Sequence, residues 1–165
     1  MFAIVVVASV FLGFFAGVTY QKLLDAPSGD LLHEMPSASM EPTINVGDLL
    51  VIKNTTDASE INAGTYGDLI AFNKPKSTTD SEDVLIVHRA IDKVTQNGVT
   101  YFKTKGDANA GFDMWSPDYR GEEYSLGGMI SEKLLIGKVI DTIPSSVSFE
   151  DSVPYPPSQN ICASA

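Results

Sequence analysis

The sequence predicts a mainly β domain carried on one N-terminal transmembrane helix. Three observations predict it. An uncharged, almost wholly apolar run extends from Met1 to Gln21. Short apolar or alternating runs, each bounded by Gly, Asn, Asp or Pro, follow from Asp48 onward. No segment after the first sustains a helical period over the roughly 12 residues that a stable amphipathic helix needs.

The first element is the anchor, 1–21. At about 1.5 Å rise per residue, some 20 helical residues span the ~30 Å hydrocarbon core of a bilayer. A helix buried in a soluble core would carry a polar face, and this run has none. A cleaved secretory leader would show a basic start and a shorter apolar stretch of about 7–15 residues. Only Lys22 flanks the run before acidic residues begin, so flanking charge says little about orientation. Residues 22–31, with D-A-P-S-G-D from Asp25 to Asp30, read as a linker.

The β-rich domain is expected over 32–144. Its strands are Asp48–Lys53, Asp68–Phe72, Val84–Val94, Val99–Lys103 and Lys133–Ile140, rich in the residues that fit a pleated, half-buried surface. Lys74–Asp83 is a polar loop between two of them. Asn97-Gly98 lies between alternating segments and predicts a two-residue hairpin turn. That turn sets Gln96 against Val99 and Asp92 against Lys103, a favourable cross-strand charge pair. Carried on without a bulge, the register sets His88 against Asp107, with Cβ atoms roughly 4.5–5.5 Å apart. The tail 145–165, with Pro154, Pro156 and Pro157, reads as irregular.

Charge narrows the function. The chain has 165 residues, with 21 Asp and Glu against 11 Lys and Arg and a formal net charge of -10. Nucleic acid demands clustered basic residues, so it is not an expected partner. A polybasic surface for anionic lipid is equally absent from the pattern. The single cysteine, Cys162, forms no intrachain disulfide and no cysteine-based metal site. Asn54-Thr55-Thr56 is a glycosylation sequon, usable only outside the cytosol.

The sharpest local pattern is Pro36-Ser37-Ala38-Ser39-Met40-Glu41-Pro42-Thr43, followed by Gly47-Asp48 and a strand. A serine hydroxyl becomes a useful nucleophile only when a neighbouring base takes its proton. A turn held between prolines can expose one hydroxyl while aiming a second donor at a developing oxyanion. S-x-S-M-x-P-T, with an apolar helix upstream, resembles the nucleophile box of the signal peptidase I family. The resemblance covers the anchor and roughly Leu32 to Pro144. It implies Ser39 as nucleophile and Ser37 as a second contributor, with Ser39 itself, to the oxyanion hole.

His88 closes the run Val84-Leu85-Ile86-Val87 and is followed by Arg89; the only other histidine, His33, lies near the linker. Bacterial members of the family carry a lysine base on the matching strand, and the archaeal and endoplasmic-reticulum types carry histidine. I-V-H-R resembles the histidine version, which implies His88 as general base. A histidine needs little adjustment to act near neutral pH. Thr104-Lys105-Gly106-Asp107-Ala108-Asn109 resembles the family's K-G-D-N-N box, with Ala108 in place of the first Asn. In the histidine subgroup an aspartate six residues further on partners the base. That implies Asp113 as the residue orienting His88 and Asp107 as a supporting carboxylate. Phe112, Met114 and Trp115 are expected to pack the core beneath the site, with contact to a membrane surface as the alternative.

The resemblance therefore implies a signal-peptidase-like antiparallel β catalytic domain. Its reaction would be removal of signal peptides from secretory preproteins through a Ser39 acyl-enzyme, with small residues at the first and third positions before the cut. That reaction requires no metal or organic cofactor. The implied surroundings are the lipid bilayer, an extracytosolic face, the cell membrane ahead of the endoplasmic reticulum, and accessory membrane subunits of unspecified identity. Two other readings stand beside it. A self-cleaving repressor-type peptidase would use a Ser–Lys dyad and a DNA-binding domain, against which the acidic charge and His88 both speak. A non-catalytic β binding module displayed on a membrane would use the serine box merely as a turn.

Overall fold

The computed structural model describes residues 29–80 and 82–145. The expected anchor, all of the expected linker before Gly29 and the tail beyond Ser145 lie outside the described residues. Among the described residues no helix is long and apolar enough to cross a membrane. Eight strands form one antiparallel sheet: β1 (Leu31–Glu34), β2 (Leu49–Asn54), β3 (Leu69–Asn73), β4 (Leu85–Gln96), β5 (Val99–Lys105), β6 (Ser125–Leu126), β7 (Met129–Ser131) and β8 (Leu135–Ile143). Their order across the sheet is β1-β2-β8-β3-β4-β5-β7-β6. The helical pieces among the described residues are three-residue 3₁₀ turns.

Pairing on both sides and burial on both faces explain why β3 reads as a continuous apolar run rather than an alternating one. Ile70 and Phe72 enter a core with Ala90, Phe102, Ile130 and Leu135. Ala71 enters the opposite core with Met40, Ile44, Leu50 and Val87. The two sets alternate along the strand as the period of two requires. His88 is the register partner of Ile70, so its imidazole stands on the Phe72–Phe102 face.

The turn at Asn97-Gly98 forms as expected. Both residues have positive φ, 53° and 79°, as a two-residue turn of this twist requires. Gln96 pairs with Val99 and Asp92 with Lys103. Beyond that point the expected register fails. Ile91 is an extra residue in β4, so Ala90 pairs with Thr104 and Arg89 with Lys105. The one-residue shift removes Asp107 from its expected place opposite His88. Two strand boundaries also differ from expectation. β1 opens at Leu31, within the expected linker. Glu132–Leu134 is a 3₁₀ turn capped by Ser131, whose hydroxyl accepts the Lys133 N–H, so β8 starts only at Leu135. The expected loop is tied down at Lys76, whose N–H donates to Asp118 and whose carbonyl accepts the Tyr119 N–H.

Candidate active site

Ser39 lies in the 3₁₀ turn Ala38–Met40. That turn is nailed to the second core by Met40, which is fully buried, and its carbonyl accepts the Ile44 N–H at 3.0 Å. Ser37 occupies the N-cap position, yet its hydroxyl makes no cap hydrogen bond. It lies instead 3.2 Å from the Ser39 hydroxyl. Ser39 Oγ is in turn 3.2 Å from Nε2 of His88, delivered by β4. On the other side of the ring, Nδ1 is 2.6 Å from Oδ2 of Asp113.

Asp113 comes from the loop after β5, which returns to its strand through an Asp113 N–H bond to the Thr104 carbonyl at 2.9 Å. Burial pushes its carboxyl up. Hydrogen bonds from His88 and Thr104, the His88 charge and a hydrogen bond from Asn109 outweigh burial and hold it below the ordinary carboxylate value. An ionised Asp113 only accepts, so Nδ1 carries a proton and Nε2 presents a lone pair. Ser39 then donates to Nε2, and Ser37 donates to Ser39. The array is a directional chain from hydroxyl to hydroxyl to imidazole to carboxylate.

Asp107 has other partners. Its carboxylate takes a two-pronged ion pair from Arg89, with Nε at 2.9 Å and Nη2 at 2.6 Å, and the Thr43 hydroxyl also donates to it. Arg89, led by the Asp107 hydrogen bond, has its pKa raised, and Asp107 has its pKa lowered by the same contact. The carboxylate expected to support His88 thus binds the next residue of β4 and the end of the serine box. The turn that carries it also holds the nucleophile's backbone, since Ala108 donates its N–H to the Ser39 carbonyl at 3.0 Å.

Of the three apolar residues expected under the site, only Trp115 is there, packed against the Phe72 core. Phe112 is 51% exposed beneath the Lys103 ammonium, and Met114 is 77% exposed. The loop must turn to bring Asp113 inward, and period-two neighbours on either side of it face out. Sequence reasoning gave no role to Thr43, Thr104 or Asn109. A hydroxyl on the strand that faces the base strand was the available signal for Thr104.

A cleft of about 220 Å³ leads to the two hydroxyls, walled by Met35, Pro36 and Ser37 on one side and by Val84–His88 on the other. Its second wall is an open strand edge. β5 pairs with β4 only from Arg89 onward, so along Leu85–His88 the pairing strand among the described residues is β3 alone. Among the described residues no group of three or more His, Cys, Asp or Glu is arranged to hold a metal ion.

No protein-family model matches the chain. Curated relatives do. Signal peptidase I W of Bacillus subtilis (strain 168) is 38% identical over 85 residues, covering 52% of this chain and 40% of the relative. The signal peptidase complex catalytic subunit SEC11 of Chaetomium globosum is 31% identical over 122 residues, 74% of this chain and 62% of the relative. The SEC11 catalytic subunit of Lachancea thermotolerans is 31% identical over 110 residues, 66% of this chain and 56% of the relative. The chain thus spans between 40% and 62% of the lengths of these relatives.

Proposed function

With the chain a relative of the type I signal peptidases, we propose that it is a membrane-bound serine endopeptidase that removes N-terminal signal peptides from secretory preproteins. The observation that carries this reading is the hydrogen-bonded chain Ser39–His88–Asp113 at the end of a cleft. His88 Nε2 takes the Ser39 proton as Ser39 Oγ attacks the scissile carbonyl, and Asp113 stabilises the imidazolium that forms. The Ser37 hydroxyl, released from Ser39, turns with the Ser39 N–H toward the oxyanion. His88 then returns the proton to the leaving amine, and water hydrolyses the ester.

The open edge of β4 supports an extended substrate lying along Leu85–His88 as an added strand. In an extended chain the first and third residues before the cut point to one side. A cleft this small beside Met35 and Pro36 suits small side chains there. The anchor 1–21 would confine the enzyme beside its membrane-borne substrates and raise their effective concentration. Exposed Phe112 and Met114 near the site suit contact with the membrane interface. The domain would face the extracytosolic side of the cell membrane, with accessory subunits as further partners.

Cleavage of a purified preprotein tests this reading. Replacing the small residue before the cut by Leu should abolish processing, and digestion of sealed vesicles should reach the domain only from the extracytosolic side. Equal processing of the Leu substrate, or digestion from the cytosolic side alone, would contradict it.

A further inference from the structure

Thr104 is fully buried on β5, at 0% exposure. A buried hydroxyl needs partners for both its proton and its oxygen. Two lie in reach: Trp115 Nε1 at 3.0 Å and Asp113 Oδ2 at 2.7 Å. Indole nitrogen can only donate. The Thr104 oxygen therefore accepts from Trp115, and its own proton points to Asp113. Oδ2 of Asp113 is the same atom that His88 Nδ1 contacts. Trp115 is itself fixed, with its ring edge-on to Phe72 at 5.6 Å and its backbone N–H bonded to the Gly128 carbonyl at 3.1 Å.

We propose that Trp115 and Thr104 are positioning residues of the site, the indole N–H locking the Thr104 hydroxyl as a donor to Asp113 and so setting how tightly the Asp113–His88 pair holds its proton. The proposal rests on the reading of Ser39, His88 and Asp113 as one catalytic unit. Asp113 Oδ2 shares its charge between two donors. With the Thr104 donor gone, the oxygen becomes more basic and holds an imidazolium more tightly. The imidazole then titrates at higher pH, and more of the base is blocked by a proton at neutrality. The neighbouring charged and titratable groups are the Arg89–Asp107 pair, Lys105, whose charge acts on Asp107, and His33, which lines the cleft with His88; Thr104→Val, Thr104→Ser and Trp115→Phe alter none of them.

Trp115 makes the effect readable without substrate. It is the chain's only tryptophan, and its ring centre is 6.3 Å from that of His88. A protonated imidazole at that distance quenches indole emission. Emission of the full-length protein, followed from about pH 5 to about pH 9 across the usual histidine range, should show one transition, absent in His88→Gln and retained in His33→Gln. In Thr104→Val the midpoint should rise by about half to one pH unit, the effect of one hydrogen bond. Thr104→Ser should keep the wild-type midpoint. Trp115→Phe, read by nitrogen NMR of the His88 ring, should shift in the same direction while keeping the Nδ1–H tautomer that ionised Asp113 fixes. On the acid side of the kcat/KM pH profile, where the base is protonated, kcat/KM of Thr104→Val and Trp115→Phe should fall about three- to tenfold. An unchanged midpoint in folded Thr104→Val, or unchanged ring nitrogens in Trp115→Phe, overturns the proposal, and the second decides alone if Thr104→Val does not fold. Shifted midpoints in a protein that cleaves no preprotein would leave the relay standing and remove the proposed function instead.

Discussion

Ala108 donates its backbone N–H to the carbonyl of Ser39 at 3.0 Å. The contact joins the two halves of the site, because one short turn after β5 braces the serine while its continuation supplies Asp113. Gly106 makes this close approach attainable. A Cβ at that position would stand 2.6 Å from the Ser39 carbonyl oxygen and 2.7 Å from the Asn109 side-chain nitrogen. Gly106→Ala should therefore push the turn off the serine and cut kcat by roughly 10² or more, since displacements near 1 Å in a positioned site cost about that. Steady-state kinetics beside circular dichroism will separate this from unfolding.

The two carboxylates should behave differently. Asp113→Asn can offer an N–H to Nδ1 and so favour the tautomer with the proton on Nε2, where it blocks the base. A kcat loss of about 10⁴ is expected, with the fold retained. Asp107→Asn breaks the Arg89 ion pair, 17% exposed on each side chain. It should lower stability by about 2 kcal/mol and slow the reaction less than Asp113→Asn does. Paired kinetics and urea unfolding of both variants check the ordering.

Much of this architecture was legible in residue order. Short apolar or alternating runs located β2, β3, β4, β5 and most of β8, and Asn97-Gly98 fixed the hairpin. Ile91 was not legible as a bulge, because an extra residue leaves the local pattern of apolar side chains almost unchanged while shifting everything beyond it. The spatial partner of Asp107 was lost with that shift. β1, β6 and β7 are two to four residues long, too short to carry a period. The serine turn was readable from its prolines and Met40. Thr104 and Trp115 look like ordinary core residues in sequence, and only their three-dimensional placement against Asp113 distinguishes them.

Asp118 gives the domain an acid-sensitive clasp. Hydrogen bonds from Arg120, opposed by burial and aided by the Lys76 and Arg120 backbone N–H groups, hold its carboxyl down to about 2, against 3.8 ordinarily. A depressed carboxyl stabilises the fold fully above its unfolded value and ceases to as pH falls through its folded value. The contribution should reach about 2 kcal/mol at neutral pH and fade between roughly pH 4 and pH 2. Urea midpoints of Asp118→Asn should lie below wild type at pH 7 and approach it near pH 2.

The central claim is that Ser39 is the nucleophile, and cleavage of a secretory preprotein by the full-length chain beside Ser39→Ala tests it most directly. The wild type should release the mature chain at a single site. The folded Ser39→Ala protein should be slower by a factor on the order of 10⁶, as other enzymes of this chemistry are when the serine is removed. Wild-type turnover by Ser39→Ala would contradict the account.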